Sequence, residues 1–291
     1  MEAELTSGDA AAPAIAADGR GTLYVVSTPI GNLGDFSVRG VATLRMVSAV
    51  LAEDTRHSIT LLKRYDIHTP LVAYHEHNEA KTTPALVARL MAGEHLALVS
   101  DAGTPLLSDP GARLVRAAVD AGVDVSPVPG ASALLSALVV SALSLERFTF
   151  YGFAARRGAE RRDTMAEIAA LRHAAVLYEA PARVAATLAE LVAAGAGTRA
   201  AIVARELTKQ FEELRRGTVA DLAAYYVSVP PRGEVVIVVA GGSAPLAASE
   251  AELRARAVEL RAEGFAPRDV TAALQAELGA SRNLAYRLAR E

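Results

Sequence analysis

Short apolar runs, each ending in a polar or glycine-rich turn, are the feature that most constrains this chain's fold. The runs Leu23–Val26, Ala49–Ala52, Leu96–Val99 and Val123–Val125 have the length of buried strands. Segments of helical period separate them, at about 37–47, 57–65, 80–92 and 109–122, and an apolar helix is predicted over 131–143. Asp109 followed by Pro110 predicts an N-cap and the first helical residue of the segment 109–122. Strands that alternate with helices are typical of βαβ units. The sequence therefore predicts an α/β fold whose N-terminal part is a parallel sheet flanked by helices.

A second block of strand and helix patterns runs from about Phe148 to Ala240. Strands are predicted at 148–151, 175–178, 200–204 and 234–239, helices at 160–171 and 182–193, and a further strand at 211–217. Because no helix is predicted between the last segments, we expect a mixed sheet here. The predicted organisation is a disordered leader over 1–20, two α/β domains over 21–145 and 146–242, and a tail of three short helices over 248–291.

Composition excludes several classes of protein. Hydrophobic residues make up 52% of the chain, enough for a buried core. Cysteine is absent, which excludes a disulfide framework, a thiolate metal site and a cysteine nucleophile. The start of the chain lacks the basic and apolar parts of a secretory signal, and 131–143 is too short for a bilayer of about 30 Å. We expect a cytoplasmic protein with no membrane partner.

The charge balance limits how the chain could bind nucleic acid. The chain has 30 basic and 33 acidic residues, which give a formal net charge of −3. Coating of nucleic acid through bulk charge is therefore disfavoured, and any RNA contact must come from a local patch. The densest such patch is Arg156, Arg157, Arg161 and Arg162, which fits either a solvated charge run or phosphate contact.

Four turns follow predicted strands of the first block, at residues 27–35, 53–57, 100–105 and 129–132. The carboxyl ends of parallel strands lie at one edge of a sheet, where ligands bind. Neither GxGxxG nor GxxxxGK[ST] occurs, so a dinucleotide and a P-loop phosphate are disfavoured. Hydroxyls, backbone N–H groups and few cations suit a ligand with an adenosine and an amino-acid end. Each glycine there also fits an ordinary tight turn.

Two charged segments allow both a functional and an ordinary interpretation. Residues 53–57 (EDTRH) could be an acid/base or substrate-orienting group, or a solvated helix start. His75 and His77 would share one face of a strand, as a metal pair would. No third ligand lies nearby in the sequence, so no metal site is predicted.

Seven segments occur in an order that resembles a known family. They are 23–35 (LYVVSTPIGNLGD), 52–57 (AEDTRH), 98–111 (LVSDAGTPLLSDPG), 127–132 (PVPGAS), 150–153 (FYGF), 204–209 (ARELTK) and 233–236 (GEVV). Together they are similar to the ribosomal RNA small subunit methyltransferase I proteins of the tetrapyrrole methylase superfamily. The similarity extends from about Gly21 to the C-terminus. One departure is Ala182, where the family commonly has a histidine.

The resemblance implies an S-adenosylmethionine-dependent enzyme that methylates the ribose 2′-hydroxyl of a cytidine in 16S ribosomal RNA. It also implies a homodimer of two-domain α/β subunits that acts on 16S rRNA or the small ribosomal subunit, with the cofactor held between the domains. The alternatives are a methyltransferase of the same superfamily acting on a small molecule or a protein, and a non-enzymatic RNA-binding ribosome factor. A nicotinamide-dependent oxidoreductase is disfavoured by the missing glycine motif.

The site residues expected from this resemblance fall into three groups. The cofactor would lie against Ile30, Gly103, Thr104, Ala131 and Ser132. A carboxylate among Asp54, Glu179 and Glu206 would accept the hydroxyl proton, although Glu179 could equally form a structural ion pair with Arg183 or Arg205. The expected substrate contacts are Arg56, Arg156, Arg157, Arg161, Arg162, Arg205 and Lys209.

Overall fold

A computed structural model of the chain describes residues 19–242 and 248–291. The leader predicted over residues 1–20 lies outside the described residues, except for Gly19 and Arg20. Within the described part, the α/β fold with one parallel sheet, one mixed sheet and a helical tail is confirmed.

The first sheet has five parallel strands in the spatial order β3-β2-β4-β1-β5. The strands are β1 (Thr22–Val26), β2 (Ala49–Ala52), β3 (Leu71–Ala73), β4 (Leu96–Val99) and β5 (Asp124–Val128). The helices between and after them are α1 (Val38–Met46), α2 (Thr55–Arg64), α3 (Glu79–Met91), α4 (Ala112–Asp120) and α5 (Ala133–Val139). The sequence pattern missed β3 because this edge strand has only three residues and none is fully buried.

The second sheet is mixed and has the order β6-β7-β10-β8-β9. Its strands are β6 (Phe148–Phe153), β7 (Ala174–Glu179), β8 (Ala200–Arg205), β9 (Glu213–Thr218) and β10 (Val235–Val239). Its helices are α6 (Ala159–Ala170), α7 (Val184–Leu191) and α8 (Val219–Ser228). Only β6 and β7 pair in parallel, because β10 inserts antiparallel between β7 and β8, and β9 returns antiparallel to β8.

The reason given above for a mixed sheet was wrong, since a helix does separate the last two strands. Helix α8 begins at a capping box, in which the Thr218 hydroxyl accepts from the Asp221 N–H and the Asp221 carboxylate accepts from the Thr218 N–H. Its buried residues Leu222 and Tyr226 pack with α7 against the second sheet. The helix was missed because its two tyrosines and two valines also suit a strand.

Helix α5 joins the two halves of the molecule. It follows the last strand of the first sheet, yet Leu134, Ala137 and Leu138 pack against Val236 and Val238 of the second sheet. Full burial of an aliphatic side chain stabilises a fold by about 1.5–3 kcal/mol, so this contact holds the two sheets in a defined arrangement. The turn before α5 is thereby brought beside the strand ends of the second sheet.

Helix α4 does not begin where the Asp109–Pro110 pair predicts. Gly111 is the N-cap, with φ 129°, and a Cβ at this position would lie 2.5 Å from Leu98 Cδ2. Leu106 and Ser108 also have positive φ, so the segment before the helix is an irregular loop. The prediction of Asp109 as N-cap was therefore wrong, and its carboxylate does not cap the helix.

The predicted tail of three helices is confirmed. Helices α9 (Glu250–Ala262), α10 (Pro267–Leu278) and α11 (Arg282–Leu288) enclose their own core, which includes Leu253, Leu260 and Leu274. No helix in the described ranges has the length and apolar character needed to cross a bilayer.

Candidate active site

Turns from three strands of the first sheet are hydrogen-bonded to one another. The backbones of Thr28 and Gly103 exchange N–H···O bonds of 2.8 and 3.0 Å. The hydroxyls of Ser27 and Thr104 lie 3.1 Å apart, and the Thr104 hydroxyl donates to the Ala131 carbonyl at 3.1 Å. The turns after β1, β4 and β5 therefore form one continuous surface at the sheet edge.

Gly103 is required for this close approach. Its φ of +80° is a conformation that side chains rarely adopt, and an added Cβ would lie 3.1 Å from Ile30 Cγ2. Ile30 itself is buried at the same surface. Glycine at this position thus lets the turn after β4 contact the turn after β1.

A cavity of about 450 Å³ lies between this surface and the strand ends of the second sheet. The first sheet contributes Ile30, Gly103, Thr104 and Ser132, four of the five residues expected to hold a cofactor. The fifth, Ala131, supplies the carbonyl that accepts from Thr104. The second sheet contributes residues at the ends of β6 and β7, after β8 and at the start of β10: Phe153, Tyr178, Glu179, Ala204, Leu207, Gly233, Glu234 and Val236.

Besides Glu234, three more carboxylates that were not among the expected site residues line the cavity: Glu53, Asp101 and Asp109. Burial raises the pKa of the Asp109 carboxyl to about 6, and the charges of Glu53 and Asp101 add to the shift. Burial and the Asp101 charge also raise the pKa of Glu53. The signal for Glu53 and Asp101 was available, because both lie in turns that follow predicted strands, whereas Asp109 was interpreted as a helix cap.

A smaller cavity of about 250 Å³ adjoins the first and shares Ile30, Asp101, Ala102 and Glu234 with it. His57 and Lys209 also line it. One oxygen of Asp101 accepts from the Asp54 N–H at 3.1 Å, which fixes the carboxylate where the two cavities meet. Asp101 therefore faces both cavities.

Asp54 and Arg56 lie at the start of α2 and pair with each other. The Asp54 carboxylate caps the helix by accepting from the Arg56 N–H at 2.8 Å, and it also accepts from the Arg56 guanidinium at 2.7 Å. These bonds lower the pKa of Asp54 well below its ordinary value. An aspartate so stabilised as an anion is a weak proton acceptor, and Arg56 is almost fully exposed.

Glu179 is buried at the end of β7 in an ion-pair network. Arg183 Nη2 lies 2.6 Å from its Oε1, Arg161 Nη1 lies 3.7 Å from its Oε2, and the Thr187 hydroxyl donates to Oε2 at 2.5 Å. Glu179 therefore forms the ion pair with Arg183 that was one of the two alternatives. Arg205 does not pair with Glu179, because its Nε binds Glu213 at 2.7 Å. Such a network ties the start of α7 to the strand end.

Arg161 does not lie on the surface with the other arginines of its cluster. It is 5% exposed and also binds Glu190 at 2.7 Å, so the expectation that it contacts RNA is not supported by its position. The reason is its place on the inner face of α6, where Met165 and Ile168 are also buried. Arg156, Arg157 and Arg162 are exposed, as expected for a basic patch.

Glu206 holds the loop that precedes β10. Its backbone N–H donates to the Glu234 carbonyl at 2.9 Å, and its Oε1 accepts from the Glu234 N–H at 3.0 Å. Lys209 Nζ bridges the Glu206 and Glu234 carboxylates at 2.9 and 3.2 Å. The Glu234 N–H and the Lys209 ammonium lower the pKa of Glu206. These contacts order the rim that both cavities share.

A sequence-family model for tetrapyrrole (corrin/porphyrin) methylases matches residues 22–223. Proteins called ribosomal RNA small subunit methyltransferase I are similar over nearly the full length. The one from Synechocystis sp. is 42% identical, covering 93% of this chain and 98% of that protein. The one from Xylella fastidiosa is 47% identical, covering 91% and 98%, and the one from Pseudomonas aeruginosa is 45% identical, covering 92% and 96%.

Solved structures share the fold at low sequence identity. A cobalt precorrin-4 methyltransferase superposes with a TM-score of 0.58 at 18% identity, covering 75% of this chain and 94% of the other. A Thermus thermophilus uroporphyrin-III C-methyltransferase, crystallised with S-adenosylhomocysteine, gives 0.55 at 18% identity, covering 76% and 97%. The family model and the relatives of 42–47% identity establish that the chain belongs to the tetrapyrrole methylases, among the ribosomal RNA small subunit methyltransferase I proteins.

Proposed function

We propose that this protein uses S-adenosylmethionine to methylate the ribose 2′-hydroxyl of a cytidine in the 16S RNA of the small ribosomal subunit. The observation that carries the proposal is the acidic cavity of about 450 Å³ in which turns of both sheets meet. The relatives that share nearly the whole chain are called ribosomal RNA small subunit methyltransferase I, and this name supports the choice of substrate.

The larger cavity has the size and chemistry for the cofactor. Its volume of about 450 Å³ falls within the range of pockets for small organic ligands. Ile30, Leu207 and Val236 offer apolar surface, and Glu53, Asp101 and Asp109 offer negative charge to a cationic ligand. When bound, S-adenosylmethionine supplies a methyl group already activated on a positively charged sulfur.

We assign Asp101 to the ribose hydroxyl. It lines both cavities, so a ribose in the smaller cavity and a cofactor in the larger one would both reach it. One of its oxygens is held by the Asp54 N–H, and the carboxylate can still accept a bond from a hydroxyl. In this role Asp101 orients the hydroxyl and takes up its proton during transfer.

Asp54, Glu179 and Glu206 would then support the site rather than act as the base. Asp54 holds Asp101 through its backbone, Glu179 anchors the end of β7, and Glu206 orders the rim loop. For the RNA backbone we propose the exposed Arg56, Arg156, Arg157 and Arg162, with Lys209 at the mouth of the smaller cavity. We also propose the homodimer that the resemblance implies, and light scattering of the protein in solution measures its oligomeric state.

The test uses labelled S-adenosylmethionine and small ribosomal subunits that lack the modification. We expect label in 2′-O-methylcytidine, and we expect Asp101→Asn to lower kcat by about 10²- to 10⁴-fold with little change in cofactor affinity. Asp120→Asn, an exposed position on α4, is the matched control and should retain full activity.

Three results would contradict the proposal in whole or in part. If no label enters RNA and calorimetry detects no cofactor binding, the proposal that the protein is a methyltransferase is wrong. If RNA stays unlabelled while a small tetrapyrrole or a protein accepts the methyl group, the substrate is the alternative one. If Asp101→Asn stays active and Asp54→Ala does not, the base is Asp54.

A further inference from the structure

A third cavity, of about 300 Å³, has no place in the function described so far. It shares no residue with the other two, and it lies where Arg205 ends β8 and Glu213 begins β9. The loop before β10 separates it from the cofactor cavity, because Pro231 and Arg232 line the former and Gly233 and Glu234 line the latter. The two cavities therefore open around the same end of the second sheet.

The Tyr226 hydroxyl is a buried polar group of this cavity that lacks a partner. Tyr226 is 2% exposed, and no atom of the described residues forms a hydrogen bond with its hydroxyl. Glu213 and Arg205, which both line the cavity, are among the charges that act on it. A buried hydroxyl that is left unpaired has lost its hydrogen bonds to water, so a bound ligand that pairs with it would recover part of that cost.

The polar groups around this hydroxyl can both donate and accept. Arg205 Nε binds Glu213 Oε2 at 2.7 Å, and both side chains are only partly exposed. Burial and the Glu213 charge raise the pKa of Tyr226 to about 12, which keeps its hydroxyl protonated and able to donate. A ligand edge that carries donors and acceptors side by side, as a nucleobase does, is complementary to this set.

The walls provide aromatic and cationic surface. The rings of Tyr225 and Tyr226 line the cavity and pack edge to face with centroids 5.0 Å apart. Arg215 lies outside the lining, and its guanidinium is 3.6 Å from the Tyr225 ring centroid. Arg232 is exposed at the opening. Single-stranded RNA is bound by this combination, with bases on aromatic and guanidinium planes and phosphates on arginine.

We propose that this cavity binds a base of the RNA substrate that neighbours the methylated nucleotide. The inference rests on the proposed function and adds a second point of RNA recognition, on the other side of the loop before β10. Binding there would hold the strand on both sides of that loop and so present the target ribose to the smaller cavity.

The experiment compares Tyr226→Phe and Arg232→Ala with wild type in methyl transfer to unmodified small subunits. Tyr226→Phe removes one hydrogen bond to the base and should raise KM for the subunit about 3- to 10-fold. Arg232→Ala should raise KM by a similar factor, and the cofactor Kd should not change in either variant. Arg116→Ala, an exposed arginine on α4, is the matched control and should keep the wild-type KM.

A purely structural Tyr226 predicts a different outcome. Tyr226→Phe would then change only the thermal midpoint, and a KM within twofold of wild type in both variants overturns the inference while the methyltransferase function stands. A second arm titrates free cytidine monophosphate. Stabilisation of the wild type by this nucleotide with unchanged KM values would mean a free-nucleotide site and would also overturn it. A wild type that transfers no methyl group to RNA overturns the function and this inference together.

Discussion

The Asp109 carboxylate is partly buried beside Glu53 and Asp101 and has a pKa of about 6, above the ordinary value for aspartate. Its folded-state pKa is raised, so its contribution to stability is fully present below the unfolded pKa and is lost as the pH rises through about 6. At neutral pH the protein therefore maintains an ionised carboxylate at a cost in stability. A cationic ligand in the same cavity would offset this cost.

The substitution Asp109→Asn tests whether the ionised carboxylate attracts the cofactor. Cofactor affinity of the wild type should increase as the pH rises through about 6, because the ionised Asp109 attracts the cation, and this step should be absent in the variant. Above pH about 7 we expect the variant to bind the cofactor about tenfold more weakly, while its ligand-free form melts at a higher temperature. Calorimetry and thermal melts across pH measure both.

Opposite results would contradict this account of Asp109. Equal pH profiles of affinity in the two proteins would show that another group titrates, and a lower melting temperature of the ligand-free variant would show that the carboxylate is stabilising. Asp120→Asn on the surface controls for the loss of one charge.

At the scale of elements, the site depends on turns that contact one another more than on the strands that carry them. The bridge between Thr28 and Gly103 and the hydroxyl bond from Thr104 to Ala131 align three turns. Ser132 is the N-cap of helix α5, its side chain accepts from the Leu135 N–H, and the helix packs against the second sheet. The order of the cavity thus follows from backbone contacts between turns.

Gly103→Ala tests this dependence. The added Cβ would meet Ile30 in a backbone conformation that disfavours side chains, so we expect a loss of about 1–2 kcal/mol in stability and a larger loss of cofactor affinity. Gly195→Ala is a matched control, since Gly195 has φ +97° but no atom within 4 Å of an added Cβ. Both variants place a side chain in a strained backbone conformation, and only Gly103→Ala also displaces Ile30. Denaturant unfolding measures the loss of stability in each variant, and calorimetry measures the loss of cofactor affinity. Equal cofactor affinity in the two variants would count against the role given to this turn.

At the scale of the whole molecule, two sheets share one cleft while the tail folds around its own core. Leu253, Leu260 and Leu274 are buried among the tail helices, and the ion pairs Arg254–Glu291 and Arg287–Glu250 also lie within the tail. The cleft, by contrast, draws its lining from both sheets. Cofactor binding should therefore be independent of the tail.

We predict that deleting residues 248–291 leaves a folded protein with unchanged cofactor affinity. The reason is that the tail core is internal, so its removal exposes little apolar surface on the sheets. Calorimetry and a thermal melt of the truncated protein measure this, and activity on small subunits shows in addition whether the tail contributes to RNA binding. Aggregation, or a large loss of cofactor affinity, would mean that the tail supports the cleft.

The sequence alone determined the features that depend on neighbouring residues. The positions of β1, β2, β4 and β5, the turns after them, and the breaks between the tail helices all follow from local patterns of apolar, glycine and proline residues. Because parallel strands place their carboxyl ends at one edge, the meeting of Ile30, Thr104 and Ser132 could also be predicted.

Only the tertiary structure decided what each charged side chain does. Arg161 and Arg162 are adjacent in sequence, yet one is buried against Glu179 and the other is exposed, because α6 presents only one of them to the core. Asp109 enters the cavity because Gly111, not Asp109, starts α4. A charge is stabilised by partners distant in sequence, and its burial and pKa therefore depend on packing that local patterns do not encode.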